Sequence, residues 1–188
     1  MLRLPPSAWI VRMVAALGVA AALALPAAAY DAADAARLQT LFAELKAAPD
    51  ADAARVVADR IWQVWTVPSE TARAERLKAA IDARFLTPAA ALELLDGLIA
   101  DFPDFAEAFN QRATLFFNLG NYDAALADIE STLALEPRHF GALAGEAIIL
   151  QMRGDNHAAA EAILAGLAIH PFLPERALFP ELVVPATP

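Results

Sequence analysis

Histidines and closely spaced carboxylates are the side chains here that could carry chemistry, and their spacing assigns them none. His139, His157 and His170 are the only histidines. None falls in an H-E-x-x-H pattern, the spacing by which one helix turns two histidines to a metal. Surface or capping roles therefore suit them better, and His157 is expected in a turn. Asp101 with Asp104 and Asp123 with Asp128 sit near expected helix ends, and Asp104 and Asp123, at N-terminal ends, complement the helix dipole. Cysteine is absent, so thiolate nucleophiles and disulfides are excluded. The seven glycines are scattered and form no phosphate-cradling loop. No catalytic residue, cofactor site or metal site is nominated, and an enzyme is not expected. Trp62 and Trp65 stand at helical spacing, as core packing or as an aromatic peptide-binding patch.

The elements that carry these residues are announced by a period of 34 residues, struck by Pro103, Pro137 and Pro171. Ala91, Ala125 and Ala159 keep it, as do Gly120 with Gly154 and Leu95, Ile129 and Ile163. A fixed interval of this length marks stacked helical hairpins, each burying its apolar face against its neighbours. The expected fold is all-α, an α-solenoid of antiparallel hairpins. Asp31 to Lys46 carries Leu38, Leu41, Phe42 and Leu45 on one face, and Asp52 to Trp65 carries Val57, Ile61 and Trp65. Ser69 is placed to cap a third helix reaching Phe85, and Thr87-Pro88 to start a fourth ending at Ala100. Asp104 with Glu107 reads as a capping box for the fifth.

Bulk composition narrows the partners. An apolar fraction of 59% and a mean hydropathy of +0.43 reflect alanine more than membrane spans. Net charge is −9, and removing residues 1–29 takes away Arg3 and Arg12 and no acid, giving −11. Such a surface repels phosphate backbones, so nucleic acid is not an expected partner. Those first residues have the layout of a secretory signal: Arg3 and Arg12, an apolar run from Met13 to Leu25, then Pro26 and Ala27-Ala28-Ala29. Cleavage falls before Tyr30, which places the mature chain in the periplasm or outside the cell. The alternative is an uncleaved anchor, although thirteen residues are short of the roughly 20 a span needs.

The segment AEAFNQRATLFFNLGNYDAALADIESTLALEPRH, from Ala106 to His139, resembles a tetratricopeptide repeat. Phe109, Ala113, Phe116, Ala125, Ile129 and Pro137 match the family's bulky, small and closing positions, with Gly120 and Asn121-Tyr122 in the turn. Arg112 replaces the usual Leu. Leu143, Ala147, Leu150, Gly154, Ala159, Ile163 and Pro171 repeat the pattern in the next copy. Ala72 to Pro103 is a degenerate copy that keeps Ala79, Ala91, Leu95 and Pro103. It has Glu75 and Asp82 where bulky residues belong, and Pro88 where Tyr122 and Asn156 stand in the others. The expected organisation is a signal peptide at 1–29, a capping hairpin at 30–68, repeats at 69–103, 104–137 and 138–171, and a capping turn and tail at 172–188.

The resemblance implies a concave face lined by the first helix of each hairpin. In the well-formed unit that face carries Asn110, Thr114, Phe117 and Asn118, and in the last unit Ala144, Ile148, Gln151 and Met152. In the degenerate unit it carries Arg73, Arg76 and Arg84 around Ala80. These arginines are either a wall for an acidic segment or terminal carboxylate, or a solvated face balanced by Glu70, Glu75 and Asp82. The family's lysine-based carboxylate clamp is not supported, because the lysines are Lys46 and Lys78. The implied function is a non-catalytic scaffold that binds a peptide or protein segment in a concave groove. The alternative is a permanent subunit of an envelope complex, or a homodimer, with no free groove.

Overall fold

The computed structural model describes residues 30–85, 87–180 and 182. The expected signal segment at 1–29 and most of the tail lie outside the described residues. Eight helices follow one another without a strand among the described residues: α1 (Ala32–Lys46), α2 (Ala51–Thr66), α3 (Thr71–Ala83), α4 (Pro88–Asp101), α5 (Ala106–Asn118), α6 (Tyr122–Leu135), α7 (Phe140–Met152) and α8 (Asn156–Ile169). A 3-10 turn at Pro174–Leu178 follows. Each odd helix packs on the next as a hairpin, and α4 on α5 and α6 on α7 join successive hairpins.

Local chemistry fixes these ends. Asp31, Asp50, Asn121 and Asp155 cap their helices by accepting an amide proton three residues on, at 2.8–3.3 Å. Gly120 and Gly154 adopt φ of 73° and 81°, a left-handed turn that costs glycine little. There Asn121 N donates to Phe116 O at 2.9 Å and Asp155 N to Leu150 O at 3.0 Å, closing both helices with the same motif. The alanines of the repeat are the contact points: Ala125 and Ala147 are fully buried, and Ala113 and Ala159 nearly so. At this spacing a larger side chain would force the backbones apart.

Two capping expectations are corrected. Ser69 does not cap α3, because its hydroxyl and amide bond the Asp34 carboxylate and tie the start of α3 to α1. Asp104 does not cap α5 either; it takes Arg73, while Glu107 turns inward.

The α3 helix is also turned relative to the repeat register. Glu75, Lys78, Ala79 and Asp82 are exposed, while Leu77 and Ala80 are buried in a cluster with Ala91, Leu95, Leu98, Phe105, Ala108 and Leu115. The reason is hydrophobic. With charges at the inward repeat positions, α3 buries the Leu77–Ala80–Ile81 stripe instead, and the face carrying its arginines turns towards α4 and α5.

The hairpin of α1 and α2 makes only slight contact with α3 and reaches the other end of the array. Its buried Leu38, Leu41, Leu45, Ile61, Val64 and Trp65 share one core with Phe140, Ile163, Leu173 and Phe179. The Trp65 ring stacks on His139 at a centroid distance of 4.1 Å and 11° between planes. Trp62 meets His139 and Phe140 edge-on at 5.4 and 5.7 Å. Gly141 lets this happen, since a Cβ there would come within 2.8 Å of the Trp62 ring. The hairpin thus lies across the starts of the repeat helices.

Candidate functional site

Beneath the hairpin's edge, α5 and α7 stand side by side and enclose a cleft of about 290 Å³. Asn110, Thr114 and Phe117 line it from α5, Ala144 and Ile148 from α7, and Ile129 of α6 closes the back. Every one of these except Ile129 is a position the repeat resemblance puts on the concave face. Glu175, from the 3-10 turn, stands at one side. That turn begins where the next repeat's first helix would start, 34 residues after Phe140.

The cleft's polar groups are partly committed to the protein. Asn110 is buried and donates from Nδ2 to Glu107 Oε2 at 3.2 Å, and the Thr114 hydroxyl donates to Asn110 O at 3.0 Å. Phe117 leans on Tyr122 with ring centroids 5.7 Å apart. The apolar side chains of the walls therefore make up most of the cleft's open surface.

The remaining expected site residues lie elsewhere. Asn118 is exposed at the end of α5, and Gln151 donates to Leu178 O at 3.1 Å, holding the 3-10 turn against α7. Arg73 pairs with Glu70 at 2.7 Å and Asp104 at 3.0 Å, with its guanidinium over the Phe102 ring. Arg76 bonds Asp101 at 2.5 Å, and Arg84 bonds Gln111 at 3.0 Å. These arginines tie α3 to α4 and α5 and contribute nothing to the walls of the cleft.

Behind the cleft is a buried polar hub. The Glu107 carboxylate, fully buried, accepts from Gln111 Nε2 at 2.6 Å and Asn110 Nδ2, and lies 3.0 Å from His139 Nε2. His139 Nδ1 accepts the Ala142 amide proton at 3.1 Å, so Nε2 carries the ring proton and donates to Glu107. His139 thus caps α7, orients Glu107 and carries the Trp65 ring at once. Tyr30 packs close by, and burial, with the charges of Glu136 and Glu107, pushes its phenol far above the usual range. Sequence reasoning placed Glu107 in a capping box with Asp104 and missed this role, because D-x-x-E ahead of an apolar run reads as a helix start. The histidine 32 residues on was the signal, visible only once the hairpins are stacked.

A second cleft of about 330 Å³ lies between α2 and the segment after α8. Asp52, Arg55, Asp59 and Trp62 face Phe172, and Gly141 and Glu175 line both clefts. His170, on its wall, meets Phe140 edge-on, and burial lowers its basicity. Among the described residues there is no group of three or more acids and histidines placed to hold a metal. None of the described helices is long and apolar enough to cross a membrane.

A stack of hairpins with a preformed apolar cleft between first helices defines a helical-repeat protein. Comparison with known proteins makes the class specific. A curated TPR repeat-containing protein of Rhizobium etli is 42% identical over 137 residues, which are 72% of this chain and 67% of that protein. The chain belongs to the tetratricopeptide-repeat proteins, which in general bind protein partners and are not catalysts. No protein-family model matches the chain, and no solved structure does.

Proposed function

We propose that this chain is a non-catalytic interaction scaffold that takes a short segment of a partner protein into the cleft between α5 and α7. It acts in the periplasm or outside the cell once residues 1–29 are removed. The cleft carries this reading. Five of the side chains that the repeat pattern places on the concave face line one preformed hollow, so little ordering is needed before contact. The hairpin of α1 and α2 lies across the starts of the first helices, so the open length suits a few residues of extended chain. Net charge of −9 argues against a nucleic-acid ligand. The layout of residues 1–29 supports export, and sequencing the amino terminus of the mature protein checks cleavage before Tyr30.

The test is capture. Ile148 is half-buried on the cleft wall, and an Ile148→Arg variant puts a charge into it while leaving the hub untouched. Losing an apolar anchor and desolvating a charge should weaken capture of envelope partners about tenfold or more, with melting temperature little changed. Equal capture by the variant removes the cleft from the binding surface.

A further inference from the structure

Glu175 is the feature that the scaffold reading leaves unused. It lines both clefts, and with Gly141 it forms the border between them. Its Oε2 is shut off from solvent and has no hydrogen-bond partner among the described residues. A carboxylate oxygen in that position is costly unless a donor arrives. The two clefts on either side differ in character. The one between α5 and α7 is walled by Phe117, Ile129 and Ile148 and has no charged side chain besides Glu175. The other holds Asp52 and Asp59 with Arg55, whose guanidinium is exposed and turned to Asp52 at 3.6 Å. Three carboxylates thus face one guanidinium across the border and the second cleft, in a protein of net charge −9.

Resting on the cleft reading above, we propose that the partner is a basic-apolar peptide segment. Its apolar side chain fills the cleft between α5 and α7, and a lysine or arginine within two residues of it donates to Glu175 and extends towards Asp59. When the half-buried Glu175 side chain turns to meet that group, the pairing supplies the donor that Oε2 lacks and is charge-assisted, which favours it over a neutral amide. An acidic segment meets like charge at Glu175 and Asp59 and is disfavoured.

The experiment selects short random peptides displayed on phage against the tagged full chain, its Glu175→Gln variant and its Ile148→Arg variant, with melting curves for all three. The full chain should enrich lysine or arginine beside leucine, isoleucine, methionine or phenylalanine by about fivefold or more over the input, as one charge-assisted bond provides. Glu175→Gln should keep the apolar preference and lose the basic one at an unchanged melting temperature. Apolar enrichment with no basic preference, or a basic preference that survives in Glu175→Gln, overturns this inference and leaves the cleft reading standing. Enrichment that is the same in Ile148→Arg, or no enrichment by any of the three proteins, overturns both.

Discussion

Two seams hold the ends of this array, and they are built from opposite materials. Where α2 meets α7, the contact is rings: Trp65 on His139, Trp62 against Phe140, all in a core that Ile61 and Val64 extend. Where α3 meets α4 and α5, the rim of the contact is arginine: Arg73 across Glu70 and Asp104, Arg76 on Asp101, Arg84 on Gln111. The first seam draws on desolvation of large apolar area, the second on long side chains that, at Arg73 and Arg76, lie over the Phe102 ring while their charges meet carboxylates. The ring seam should therefore dominate stability and respond to acid, and the arginine seam should respond to salt.

The largest effect is expected from Trp65→Ala. Removing a fully buried indole from between Phe42 and His139 should cost about 3–5 kcal/mol in urea denaturation. A loss no greater than that of an exposed arginine would show that the hairpin's docking on α7 is incidental. Next comes Arg112→Leu, which restores the residue usual in the family. Arg112 is bidentate to Asp128 at 2.7 and 2.8 Å and reaches Asp96, and these carboxylates hold its charge more firmly than usual. Leucine leaves the buried Asp128 without that partner, so stability should fall by about 1–3 kcal/mol despite the gain in apolar character. Stabilisation would mean that the repeat consensus outweighs this network. Gly141→Val should cost a comparable 1–3 kcal/mol, roughly, by overpacking against Trp62, and near-ultraviolet circular dichroism should lose tryptophan signal with it.

The pH and salt responses are smaller. His170 is less basic in the folded chain than its ordinary value of 6.5, because burial disfavours the imidazolium. Its stability contribution is therefore complete above 6.5 and declines as pH falls from there towards the lowered folded value. A His170→Gln variant should show a flatter loss of stability over that acid range than the unaltered chain, and parallel curves would refute the assignment. Arg76→Ala is expected to matter least. Its pair with Asp101 is 38% and 63% exposed, so the cost should stay below about 1 kcal/mol and vanish in high salt.

The same contrast explains what could be read in advance. Helix positions, the glycine turns and the alanine contacts follow from a period that each unit repeats, so local pattern suffices for them. The cleft residues of α5 and α7 were legible for that reason, through Asn110, Thr114, Phe117, Ala144 and Ile148. The face of α3 was not, because Glu75 and Asp82 break the pattern and Leu77 and Ala80 take over the buried side. Nor was the pairing of Trp65 with His139, which lies 74 residues further along and belongs to no repeat interval. Glu175 shows the same limit from the other side: its place follows the 34-residue beat, but its role depends on where α2 comes to rest.

Isoleucine-methyl NMR of the full chain, titrated with a peptide enriched by selection, tests the central claim most directly. Ile148 and Ile129 line the cleft, whereas Ile61 is fully buried beneath the docked hairpin. The methyl signals of Ile148 and Ile129 should shift in step with peptide while Ile61 stays still. A shift at Ile61 with Ile148 unmoved would contradict it, placing recognition at the hairpin and not in the cleft.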